Sequence, residues 1–214
     1  MTKRGSLLIL LLAVSVSAFA APKVEKIGAF SGDASAKIKA ALQADGYRVF
    51  LPNTLAAADV WLASKVATEK NPAQEAVYNQ FTESTFLGVI TFPKGGGSDF
   101  RGQQIRPGSY TMRYMVLPSD ANHLGVAPNP DMVLLIPLAD DPDPSVRYDF
   151  GKMVEMSLVA SHTSHPAAFE MMPAESPETS ATQTDDGWIV FNGAVTDAEG
   201  KKIAVAFVLK GTGT

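Results

Sequence analysis

The sequence predicts a mainly β protein, an antiparallel β-sandwich carrying two short helical additions. Three observations predict it. Short runs rich in β-branched and aromatic residues recur between Gly, Pro, Asn and Asp turn signals, the pattern of an all-β domain. Only two segments carry helical periodicity, too few and too irregularly placed for alternating β-α-β units. The composition, 46% hydrophobic and 19% charged over 214 residues, supports one well-filled core and excludes a disordered chain.

The N-terminus comes first. Lys3 and Arg4 lie in the opening five residues, residues 7–16 are almost wholly apolar, and Ala18 and Ala20 place small side chains at the −3 and −1 positions of a cut before Ala21. This is the three-part plan of a secretory signal peptide, residues 1–20. The apolar stretch from Ser6 to Ala21 is shorter than the roughly 18–20 residues a spanning helix needs, and Pro22 disfavours its continuation. The expectation is an exported chain, periplasmic or extracellular, with one soluble domain over residues 21–214. No stable membrane insertion is expected after cleavage.

Ala34 to Asp45 predicts a helix. Ala34, Ile38, Ala41 and Leu42 share one face, while Lys37, Lys39 and Gln43 face outward. Ser31 or Asp33 suits its N-cap, and Gly46 suits a left-handed C-terminal position. Strands follow at Tyr47 to Leu51, at Val60 to Val66 and at Phe86 to Phe92, the last apolar on both faces. Three glycines at 95–97 mark a turn. Arg106-Pro107-Gly108-Ser109 has the chemistry of a type II turn. Tyr110 to Leu117 alternates, with Tyr110, Met112, Tyr114 and Val116 on one face. Met132 to Leu138 is another apolar run, closed by the Asp140 to Pro144 turn.

Tyr148 to Ala160 predicts the second helix, from Phe150, Met153, Val154 and Leu158 at helical spacing. Pro173 to Asp186 is polar and predicts an exposed loop. Trp188 to Val195 and Ile203 to Leu209 flank a turn with Asp197 and Gly200, and predict a hairpin with a bulge.

Several chemistries are excluded or left weak. The chain has no cysteine, which removes disulfides, thiolate nucleophiles and Cys-ligated metals together. A net charge of −4 argues against nucleic acid as a partner. The triple glycine is not followed by a G-x-G-x-x-G or P-loop pattern, and no G-x-S-x-G elbow is present. Asp140, Asp141 and Asp143 lack the Gly and Glu positions of an EF-hand loop. Trp61, Trp188, Tyr110 and Tyr114 could form a sugar-stacking platform, but single aromatics on strands belong more often to the core.

The sharp alternative lies in the histidines. His162 and His165 have the H-x-x-H spacing, and His123 lies in a loop with Asp120 and Asp131. A metal site of His123, Asp131, His162 and His165 is therefore arithmetically available. Pro166 biases His165 away from helical dihedrals, so the pair is expected to straddle a helix end with diverging rings.

The run FRGQQIRPGSYTMRY from Phe100 to Tyr114, the later LGVAP from Leu124 to Pro128 and the pair His165-Pro166 resemble stretches in uncharacterised secreted bacterial β-sandwich proteins. The pattern I-x-P-G-x-Y-x-x-R, here Ile105 to Arg113, carries the resemblance. It implies a sandwich and an envelope location, and carries over no catalytic residue. The sequence thus reads as an exported, non-catalytic accessory or binding module without a cofactor, its partner a protein or a small molecule. The alternative reading is a metal-dependent enzyme built on the four residues above.

Overall fold

The computed structural model describes residues 21–52, 57–70, 76–119 and 127–211. The expected signal peptide and His123 lie outside the described residues. The fold is mainly β and antiparallel. Its strands are β1 (Lys23–Ile27), β2 (Gly46–Phe50), β3 (Ala57–Leu62), β4 (Phe86–Phe92), β5 (Gly97–Ser98), β6 (Gln104–Ile105), β7 (Gly108–Val116), β8 (Asp131–Pro137), β9 (Ala168–Met172), β10 (Ser180–Gln183), β11 (Ile189–Thr196) and β12 (Lys202–Lys210). Helix α1 is Ala36–Ala41 and α2 is Phe150–Ser161. β5 and β6 form a separate small ribbon, and the other ten strands form one sheet ordered β1-β2-β3-β4-β7-β8-β9-β12-β11-β10. Its end strands β1 and β10 come side by side. The sheet therefore curls into a nearly closed barrel, and opposite walls face each other across the core as the two layers of a sandwich do.

Alternation along the strands builds two cores. The inner one holds Tyr110, Met112 and Tyr114 of β7, as the sequence pattern predicts, with Val133 and Leu135 of β8, Phe169 of β9 and Phe207 of β12. Phe169 and Phe207 stack at 5.7 Å, and Phe191 tilts against Phe207 at 5.3 Å. The outer core lies on the other face of β8, where Met132, Leu134 and Ile136 meet Met153 and Met156 of α2. Burial on both faces explains the unbroken apolar run of β8.

Gly88 on β4 has φ +144°, and a Cβ there would lie 2.2 Å from the Trp61 carbonyl oxygen. Only glycine allows the β3 and β4 backbones to approach this closely. Trp61 points away from Val60 and Leu62. It is buried against the edge of Phe30, with Nε1 donating to the Gly28 carbonyl at 2.9 Å.

Several local expectations are corrected. α1 is six residues long and capped by Ser35, whose hydroxyl accepts from the Ile38 amide at 3.1 Å. It ends at an extended Leu42, and Gly46 opens β2 instead of terminating the helix. Gln43 turns inward, donating to the carbonyls of Ala63 and Ala194. Gly108 has φ +147°, which begins β7 and is not the third position of a type II turn. Finally, part of the expected 173–186 loop is strand β10, paired with β11 from Ser180↔Asn192 to Gln183↔Ile189. The β11–β12 hairpin forms as expected. Its bulge falls between Ile189 and Val190, at the far end from the turn.

Candidate functional site

The candidate site is a cleft of about 380 Å³ on the outer face of the barrel. Its floor is Met115, Leu117, Met132, Leu134 and Ala168, contributed by β7 to β9 and the residue after β7. One wall is α2, through Phe150 and Val154. That helix starts where the Asp149 carboxylate accepts from the Lys152 amide at 2.8 Å. Phe150 and Val154 are one turn apart and so present one edge to the cleft.

The opposite wall is the loop between β5 and β6. Its organiser is Asp99, fully buried. One carboxylate oxygen accepts from the Arg101 and Gln103 amides, both at 2.9 Å. The other accepts from Arg101 Nη2 at 3.1 Å and Gln103 Nε2 at 3.2 Å. Burial pushes the Asp99 carboxyl above its ordinary range despite the opposing pull of Arg101 and these donors. Phe100 is fastened to β9 by its amide, which donates to Ala168 O at 3.3 Å.

The same loop grips the chain leaving α2. Arg101 Nη2 donates to Pro166 O at 2.9 Å, and the Thr163 hydroxyl donates to Gln103 Oε1 at 2.7 Å. Arg101, Ser164 and His165 form the polar edge of an otherwise apolar cleft.

The residues of the metal alternative are placed as follows. α2 ends at Ser161, and His162 caps it in the left-handed region at φ 58°. His165 lies beyond the helix, one residue before Pro166, so the two do not share a helical face. Asp131 is not a loop residue: it begins β8 and is fully buried. One oxygen accepts from the Tyr78 amide at 3.0 Å and the Tyr114 hydroxyl at 2.7 Å, the other from the Val77 amide at 2.7 Å. Both oxygens are thus committed to pinning residues 77–78 onto the barrel end. Among the described residues no three His, Asp or Glu side chains gather as a metal-ligand group. The aromatic platform does not form either: Tyr110 and Tyr114 lie inside the barrel, Trp61 lies under Phe30, and Trp188 packs into the outer core.

Sequence reasoning passed over Phe100 and Arg101 as site residues. The signal within reach was a Phe-Arg pair in a polar, Gly-rich segment, a large apolar side chain where a turn alone would not require one. Compared with known protein families, with curated proteins and with solved structures, the chain matches none.

Proposed function

We propose that this chain is an exported, non-catalytic binding module that takes a small, largely apolar ligand in the cleft between α2 and the β5–β6 loop. The carrying observation is the cleft itself, an apolar floor and two aromatic walls with polar groups confined to one edge. Its volume falls in the ~300–1,000 Å³ range of ligand sites. The buried carboxylate beside it supports binding over catalysis. Both Asp99 oxygens are saturated by structural donors, which leaves them holding the wall. Export rests on the signal-peptide pattern of residues 1–20.

The test uses the chain from Ala21 onward and N-phenyl-1-naphthylamine, a neutral apolar dye that brightens in dry sites. Saturable binding at one site is expected. Val154→Arg places a charged side chain at the helix edge of the cleft and is expected to lower dye affinity at least tenfold, with an unchanged melting temperature. A native protein that shows no saturable dye binding, or a variant that binds dye as well as the native protein does, overturns the proposal.

A further inference from the structure

We infer that the ligand of this cleft is an aliphatic carboxylate, its head group held by Arg101 and its chain laid along the floor from Leu134 toward Leu117. The inference rests on the reading of the cleft as a binding site and adds the chemistry of its occupant.

Three observations carry it. First, Arg101 is fixed from behind and open in front. Its Nη2 is occupied by Asp99 and by the Pro166 carbonyl, and its guanidinium lies 5.2 Å from the centre of the Phe100 ring. Nε and Nη1 have no hydrogen-bond partner among the described residues, and the side chain is 32% exposed. A guanidinium held in this way has already lost much of its rotamer freedom, so an incoming acceptor meets an oriented donor. A carboxylate is the acceptor that gains most from it, because hydrogen bonds between ionised partners are roughly twice as strong as neutral ones.

Second, the sheet register sets a direction. Leu134 pairs with Ala168, whose carbonyl holds Phe100 next to Arg101. Met132 pairs with Met115, and Leu117 lies two residues further on, its amide donating to Pro130 O. The floor from Leu134 to Leu117 therefore covers about four strand steps, ~14 Å at ~3.4 Å per residue. Among the described lining residues the polar side chains are Arg101, Ser164 and His165, and the buried Glu170 lies beside the floor, in register with Met132.

Third, the floor includes two methionines, Met115 and Met132. Their unbranched, polarisable side chains adapt to a flexible alkyl chain better than to a rigid ring system.

The experiment displaces the bound dye with decanoate, 1-decanol or decyltrimethylammonium. These share one chain length and differ in head group. Decanoate is expected to displace the dye at a concentration at least tenfold below that of decanol, with decyltrimethylammonium the weakest. The decanoate advantage is expected to shrink as salt is added. Arg101→Gln also takes a cation from the buried Asp99, so its readout is a ratio within the variant: whatever dye affinity remains, decanoate and decanol are expected to displace the dye at similar concentrations. Arg101→Lys, which keeps the charge but loses the planar fork, is expected to fall between the two. Equal displacement by decanoate and decanol in the native protein, or a decanoate advantage that persists in Arg101→Gln, overturns the carboxylate assignment while leaving an apolar binding module in place. If Arg101→Gln no longer binds dye, Arg101→Lys decides the matter: dye binding with an undiminished decanoate preference speaks for charge alone and overturns the oriented-donor argument. A native protein without saturable dye binding overturns this inference together with the reading beneath it.

Discussion

Arg113 shows how far a single side chain can be misjudged from its strand. It lies on the face of β7 opposite Tyr110, Met112 and Tyr114, and an arginine is seldom fully buried. This one is fully buried. Nε and Nη2 donate to the two oxygens of Asp141 at 2.7 and 2.6 Å. Nη1 and Nη2 also reach the carbonyls of Ser84, Asp143, Pro144 and Val146. The rings of Phe86 and Tyr148 flank the guanidinium at 5.5 and 5.4 Å. The Asp140 to Pro144 turn, read as simple turn chemistry, is thus folded over the sheet and anchored to it. The closing Arg of the I-x-P-G-x-Y-x-x-R pattern has a structural task, and so does its Tyr110, whose hydroxyl donates to the Arg106 carbonyl at 2.8 Å. No local pattern reveals this, because Asp141 lies 28 positions away. Removing one partner of a buried pair strands the other charge, so Arg113→Met is expected to lose about 3–5 kcal/mol in urea unfolding. Arg113→Met with Asp141→Leu is expected to recover only part of that loss, since the backbone carbonyls still lose their donor. Full recovery would show that the ion pair alone, and not the carbonyl contacts, was at stake.

At the scale of elements, legibility follows burial. β4, β7, β8 and the β11–β12 hairpin lie within a residue or two of their expected positions: β4 and β8 are unbroken apolar runs buried on both faces, and β7, β11 and β12 are apolar runs closed by clear turn signals. Helix α2 was legible for the same reason, with Met153 and Met156 meeting the outer core. The failures share another cause. β10 is polar, and among the described residues it pairs with β11 at the sheet end, so tertiary pairing makes it a strand where propensity suggests a loop. α1 is shorter than its periodicity because Leu42 leaves the helix to bridge to Ala63. The cleft was hidden as well: its strand residues Met115, Met132, Leu134 and Ala168 are buried like ordinary core, and nothing local says that Leu117, Phe150 and Val154 around them stay partly exposed. Because α2 forms one cleft wall, its start can be tested by itself. Asp149→Ala removes the cap on Lys152 N and is expected to cost about 1 kcal/mol. That corresponds to roughly 2–4 °C in melting temperature for a domain of this size. An unchanged melting temperature would mean that packing alone sets the helix start.

For the whole molecule, the buried carboxylates set how stability responds to pH. Glu170 on β9 is fully buried in the outer face. Its Oε1 accepts from the amide and the side chain of Asn129 at 3.2 and 3.1 Å. Its Oε2 has no hydrogen-bond partner among the described residues. Burial raises the Glu170 carboxyl above its ordinary range, against the two Asn129 hydrogen bonds. Asp99 is raised for the same leading reason. The sign follows from linkage. Where the folded state holds the proton more tightly than the unfolded state, the unfolded chain ionises first as pH rises, and stability falls. The penalty is absent below the ordinary carboxylate range, grows as pH rises toward the folded-state value, and stays constant above it. Asp143 acts in the opposite sense. Its carboxyl is held well below the usual range by Lys37 and Ser145, so its contribution is lost as pH falls. A pH profile of the native protein therefore mixes both signs. The pH dependence of the difference between native protein and Glu170→Gln isolates one of them, since glutamine keeps the acceptor for Asn129 and puts a neutral amide nitrogen where Oε2 lies, whose own cost does not change with pH. Urea unfolding is expected to show Glu170→Gln more stable than the native protein at pH 7, with the gain shrinking as the pH is lowered and gone by about pH 4, near the ordinary glutamate value. A gain that is the same at both pH values would trace the effect to packing instead of ionisation. A loss at pH 7 that disappears by pH 4 would mean that the charged form of Glu170 has a partner that stabilises it.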